Sequence, residues 1–142
     1  MDREIAQLTV HTVEETDGTT IVQMAGEIDL SSAPTLIEAF RAISAEGIPN
    51  MILDATRISF MDSTGLHALV EGKRMVHESG TNLILVPSSQ MRRVMDLVFP
   101  EPLFAARVDS VEEALAVIGS FAETPDIQRH LSDISTPADR PE

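Results

Sequence analysis

The sequence has no cysteine, tryptophan or tyrosine, and only 10 Lys and Arg stand against 23 Asp and Glu in its 142 residues. The missing cysteine excludes a disulfide scaffold, a zinc–thiolate site, an iron–sulfur cluster and a cysteine nucleophile, and it suits a cytoplasmic protein. With aromatics at 4%, a core of Leu, Ile, Val, Ala and Met is expected. No run approaches the roughly 20 consecutive apolar residues that a membrane helix needs. The acidic start Met1-Asp2-Arg3-Glu4 does not read as a signal peptide. The formal net charge of −13 opposes direct binding to nucleic acid or to an anionic membrane, because both repel such a surface. It favours protein partners with basic surfaces.

What is present suffices for one domain, since 43% of the residues are hydrophobic. The domain is assigned to residues 1–122, with clear patterning from Ile5 to Ala122. Residues 123–142 hold Pro125, Pro137 and Pro141 among Ser, Thr and Asp, and are expected to form a mostly disordered tail.

Within the domain, strands alternate with helices. Leu8–Glu14 carries β-branched residues at alternate positions and leads to Asp17-Gly18, a hairpin turn signal, and then to a strand over Thr19–Ala25 that Gly26 is expected to break. Ser31, Ser32 and Pro34 open a helix carrying Leu36, Ala39, Phe40 and Ile43, which Gly47 and Pro49 close. Met51-Ile52-Leu53 reads as a short buried strand ending at Asp54, followed by a loop over Ala55–Met61. Leu66, Leu69, Val70, Lys73 and Val76 mark a helix ended by Gly80. Leu83–Val86 is a strand, Met91, Val94, Met95 and Val98 mark a helix broken by Pro100 and Pro102, and Phe104–Val108 is a last short strand. Ser110-Val111-Glu112-Glu113 is a capping box opening a final helix. The order β-β-α-β-α-β-α-β-α implies an α/β fold: a mixed, largely parallel sheet with an N-terminal hairpin and about four helices.

Open α/β sheets carry their sites at the carboxyl ends of the strands. Two loops fall there, Gly26–Ser32 and Phe60–Gly65. Ser63 stands just before an apolar helical stripe, where a phosphate would meet the free N–H groups and positive dipole end of a helix. On spacing alone, a plain N-cap at Ser63 or Asp62 is the favoured reading. Gly65 removes a side chain from the first turn and leaves room to approach the backbone. Asp29 reads as an Asx-turn residue, or as a carboxylate near Ser63. Met61, unlike Met75, Met91 and Met95, falls where an adaptable side chain meets a partner.

Other chemistries lack support. Asp54 at a strand end suggests a receiver domain's phosphoacceptor, but a hairpin stands where that fold needs an acidic pair and a helix. His67, Glu71 and His77 do not make metal-ligand spacing, and read as solvated helix residues. Lys73, Arg74, Arg92 and Arg93 also read as helix faces, with Arg92-Arg93 a candidate partner surface. No G-x-S-x-G elbow and no P-loop occurs.

Phe60-Met61-Asp62-Ser63-Thr64-Gly65-Leu66 resembles the phosphorylation-site signature of STAS domains, specifically of bacterial anti-sigma factor antagonists. Met24-Ala25-Gly26-Glu27-Ile28-Asp29 resembles the family's second strand and its Gly-x-x-Asp loop, and Met51-Ile52-Leu53-Asp54-Ala55 its third strand. The resemblance covers roughly Leu8–Ala122. It implies a non-enzymatic, partner-switching regulator of transcription. Unphosphorylated, such a protein binds an anti-sigma factor, usually a serine kinase of the histidine-kinase-like ATPase type, and so releases a sigma factor. That kinase phosphorylates Ser63, and a PP2C-type phosphatase reverses the step. Thr64 matches a position supporting the phosphosite, and Asp29 and Asp62 match acidic positions near it. The implied partner-binding set is Asp29, Met61, Asp62, Ser63, Thr64 and Gly65, with no cofactor and no metal. The competing reading is a STAS scaffold subunit of a stress-signalling or transporter assembly, in which Ser63 is never modified.

Overall fold

The computed structural model describes residues 7–14, 18–98 and 107–123. Four strands, β1 (Thr9–Glu14), β2 (Thr19–Ile28), β3 (Asn50–Met61) and β4 (Asn82–Pro87), form one sheet in the order β1-β2-β3-β4. β1 runs antiparallel to β2, and β2, β3 and β4 are mutually parallel. Helices α1 (Ala33–Glu46), α2 (Ser63–Glu78) and α3 (Ser89–Val98) follow β2, β3 and β4 in turn, and α4 (Val111–Glu123) comes after α3. This is the mixed α/β architecture that the alternating pattern implies.

The helical stripes are buried where their spacing places them. Leu36, Phe40 and Ile43 of α1 and Leu66, Leu69 and Val76 of α2 pack with Met91 and Met95 of α3 against Val22, Met24, Met51, Leu53 and Leu85. The opposite face buries Ile21, Ile52, Ile84 and Val86 under Ala114 and Ile118 of α4. Phe40 corrects the expectation of a purely aliphatic core, being 1% exposed and the largest fully buried side chain among the described residues. Its ring lies where a Cβ on Gly72 would stand, 2.0 Å from ring carbon Cδ2, so the glycine lets α2 approach α1 closely.

The helix ends follow local chemistry. Pro34 sits in the first turn of α1, where its missing N–H is no loss, and Gly47 ends the helix at φ 64°. Ser88 Oγ accepts from Met91 N at 3.1 Å and caps α3. Ser110 Oγ accepts from Glu113 N at 3.0 Å, and the Glu113 carboxylate reaches back to Asp109 N at 3.0 Å, one residue before the amide of a standard capping box.

Two boundaries differ from the sequence pattern. Gly26 does not break β2. The strand continues through Ile28, with Gly26 at φ 114° and its missing Cβ facing the Gln7 carbonyl oxygen at 2.1 Å. Likewise Ala55–Met61 is strand, and β3 does not stop at Asp54. The reason is two irregularities in the ladder. From Gln23 to Ala25 β2 advances two residues while β3 advances three, Asp54 to Arg57. From Gly26 to Glu27 β2 advances one while β3 advances two, Ile58 to Phe60. Each extra residue shifts the inward-facing position. The buried residues become Ala55, Ile58 and Met61, three apart, and strand alternation disappears from the sequence.

Of the expected last strand, Phe104–Ala106 lie outside the described residues, while Arg107 forms a single parallel bridge to Leu85. Ile5, Asp17, Pro100, Pro102 and the 124–142 segment also lie outside them.

Candidate functional site

The parallel run of β2 and β3 brings both candidate loops to one edge of the sheet. Ile28 and Met61 pair at the strand ends, and Asp62 N donates to the Ile28 carbonyl at 3.3 Å as the chain leaves β3. Asp62 is the N-cap of α2. Its backbone is extended, its Oδ1 accepts from Gly65 N at 2.9 Å, and its carbonyl accepts from Leu66 N at 2.9 Å.

The capping question is thereby decided. Asp62 caps the helix and Ser63 is its first residue, with an exposed side chain. Ser63 Oγ makes no hydrogen bond among the described residues. It stands at a helix N-terminus, where a phosphate is favoured by backbone N–H groups, beside a carboxylate that repels one. Thr64 is half-buried behind it.

Two expected roles change. Gly65 is buried, and its missing Cβ leaves room for the molecule's own backbone: a Cβ there would stand 2.2 Å from the Ile28 carbonyl oxygen. Met61 is 1% exposed and belongs to the core beneath the site. The β3 irregularities turn it inward, so it is removed from the exposed contact set and supports the site from below.

Asp29 forms the Asx turn. Its Oδ1 accepts from Ser31 N at 3.1 Å, Ser31 Oγ at 2.9 Å and Ser32 N at 3.1 Å. The Ser31 hydroxyl, followed by the turn's amides and the Ser32 hydroxyl, holds the Asp29 carboxyl below its ordinary value against an opposing effect of burial. Ser32 is the N-cap residue of α1, but its side chain makes no capping hydrogen bond to the helix. Its hydroxyl donates to Glu27 O at 2.7 Å and accepts from Asp29 N at 2.9 Å, stapling the loop onto the strand end.

Exposed apolar side chains on this edge escaped the sequence reading. Leu30 is 74% exposed and Phe60, opposite Glu27 in the β2–β3 register, is 41% exposed. The available signal was a lone leucine enclosed between Asp29 and two serines, outside any apolar period.

The remaining candidates lie elsewhere. Asp54 sits inside β3, and its Oδ1 accepts from Thr56 Oγ1 at 2.7 Å and Thr56 N at 3.1 Å. His67 is exposed, and Glu71 pairs with Arg74, which also reaches Glu78. Among the described residues, no group of three or more His, Asp or Glu is placed to hold a metal ion. Arg92 pairs with Asp109 at 2.9 Å, and Arg93 is exposed. No helix among the described residues is long and apolar enough to cross a membrane.

A mixed sheet with α1 and α2 opening at the carboxyl ends of its parallel strands, and an exposed serine leading α2, defines a small α/β domain whose candidate site is a helix N-terminus. Comparison with known proteins makes the class specific. The STAS domain family model matches residues 11–114, and the chain belongs to that family. The anti-sigma-B factor antagonist of Bacillus subtilis (strain 168) is 34% identical over 86 residues, covering 60% of this chain and 78% of the relative. The anti-sigma-F factor antagonist RsfB of Mycobacterium tuberculosis is 28% identical over 87 residues, covering 61% and 71%. The crystal structure of an anti-sigma factor antagonist from Mycobacterium paratuberculosis superposes with a TM-score of 0.65 at 27% identity, covering 78% of this chain and 92% of that one.

Proposed function

We propose that this chain is an anti-sigma factor antagonist that works by partner switching, with Ser63 as the switch. Unphosphorylated, it binds an anti-sigma factor that is a serine kinase of the histidine-kinase-like ATPase type, and a sigma factor is released. The kinase then transfers the terminal phosphoryl group of ATP to Ser63 Oγ, the hydroxyl proton passing to the kinase, and ADP leaves. A PP2C-type phosphatase hydrolyses the phosphoserine and restores binding. The chain acts as a substrate and a ligand in the cytoplasm, not as a catalyst.

The observation carrying this reading is the exposed Ser63 hydroxyl at the first position of α2, beside the Asp62 carboxylate. A neutral hydroxyl at the centre of an interface is tolerated. A phosphate adds about −1.5 to −2 charges at neutral pH. Next to Asp62, and at the same end of the sheet as Asp29, it creates like-charge repulsion worth several kcal/mol when a partner closes over it. Since about 1.4 kcal/mol is tenfold in affinity, that separates two proteins without any change of fold. The names of the relatives point the same way.

The test is incubation of the full chain with ATP and the anti-sigma factor kinase of its own organism, followed by intact mass and peptide mapping, with Ser63→Ala beside it. One phosphate on Ser63, absent from the variant and accompanied by loss of binding, supports the switch. Tight binding with no phosphate replaces it with the constitutive scaffold.

A further inference from the structure

We infer that Leu30 is the apolar anchor of the docking surface around Ser63, and that the partner receives it in an apolar pocket with a basic rim. The inference deepens the partner-switching reading and rests on it. A leucine 74% exposed at the tip of a loop is common where the loop is loose. This loop is tied at every residue around it. Asp29 Oδ1 holds the Ser31 and Ser32 amides, the Asp29 carbonyl accepts from Ala33 N at 2.8 Å, and Ser32 Oγ bridges Glu27 O and Asp29 N. Leu30 belongs to neither core cluster. The hydrogen bonds thus present an apolar side chain that has no internal packing role, and a preordered loop loses little entropy when a partner covers it.

The surroundings specify the partner. Phe60, paired with Glu27 near the end of β3, is a second exposed apolar side chain toward this end of the sheet. Glu27, Asp29 and Asp62 stand on the same edge, in a chain of net charge −13. An apolar centre within a charged rim is the arrangement in which a few residues carry most of the binding energy. Charge complementarity then requires basic groups around the receiving pocket. Anchor and switch are separate parts: Leu30 supplies attraction in both states, and the Ser63 phosphate supplies the repulsion that overrides it.

The experiment uses the full chain and the anti-sigma factor kinase of its own organism, measuring Kd without ATP and kcat and KM for phosphorylation with it. Leu30→Ala is expected to weaken binding about 10- to 100-fold and to raise KM with kcat unchanged. Its unfolding midpoint stays at the wild-type value. Leu30→Met stays within about threefold of wild type. Leu97→Ala, removing a side chain 80% exposed at the far end of α3, changes nothing. Wild-type binding weakens as salt rises, as a basic rim demands. Unchanged affinity in Leu30→Ala, equal loss in Leu97→Ala, or salt-independent binding overturns the inference while Ser63 phosphorylation stands. A wild-type chain that the kinase neither binds nor phosphorylates overturns both readings together.

Discussion

Gly65 lies so close to Ile28 that a Cβ on the glycine would stand 2.2 Å from the Ile28 carbonyl oxygen. That carbonyl also accepts the Asp62 amide. The first turn of α2 is thereby seated on the end of β2, and the Asp29 loop and Ser63 are held on one edge.

Because the obstacle is backbone, Gly65→Ala forces the helix start away from the strand. A loss of roughly 1–3 kcal/mol or more is expected, in line with overpacked sites. Gly119, in α4, has nothing within 4 Å of its missing Cβ, so Gly119→Ala should gain about 0.5–1 kcal/mol through helix propensity alone. Urea unfolding of both variants checks the contrast. Equal small effects at the two positions would remove the close approach from the account.

Gly72 and Phe40 should behave as a coupled pair. Gly72→Ala places a methyl where the buried Phe40 ring stands, and Phe40→Leu removes the ring. The alanine should cost less in the leucine background, with a coupling of about 0.5–3 kcal/mol in a double-mutant cycle. Simple additivity would show that the α1–α2 spacing is set by other contacts.

Asp62 acts on stability as a cap. Asp62→Ala leaves the Gly65 amide without its acceptor and should cost about 1 kcal/mol, whereas Asp62→Asn, also a good N-cap, should lose only a fraction of that. Equal losses in denaturation experiments would assign the effect to charge instead of the hydrogen bond.

Ser63 should be free to change without cost to the fold. Ser63→Ala and Ser63→Asp are each expected to alter stability by less than about 0.5 kcal/mol, as for exposed sites outside special features. The alanine variant keeps kinase binding and the aspartate variant weakens it tenfold or more. A large fall in unfolding midpoint for either variant would make the hydroxyl structural.

Asp29 predicts an acid sensitivity. Its carboxyl titrates below the ordinary aspartate value when folded, chiefly because of the Ser31 hydroxyl. A depressed pKa contributes stability that is present above the unfolded value and lost as pH falls through the folded one. The stability difference between wild type and Asp29→Asn should therefore narrow as pH falls through and below the ordinary aspartate value of about 4. A difference that stays constant across that range contradicts the ionised turn.

Much of this protein is set by local chemistry, and that part is readable in the chain. The acidic surface follows from residue counts. The helical stripes of Leu36, Phe40 and Ile43, the Ser88 and Ser110 caps, the Asx turn at Asp29 and the position of Ser63 before α2 depend on neighbours within four residues, where propensity and hydrogen bonding act. The Phe60–Leu66 segment together with the Met24–Asp29 strand and loop carries the resemblance to STAS domains, and the family model over residues 11–114 bears it out. The tertiary structure decided what depends on a partner strand. Two extra residues in β3 against β2 turned Met61 into the core, extended a strand through what reads as a loop, and seated Gly65 against Ile28. It also decided which apolar residue stays outside. Leu30 and Leu36 are alike in type, but one is held out by a hydrogen-bonded turn and the other is covered by the sheet. Burial is a property of what packs opposite a residue, and that lies far away in the chain.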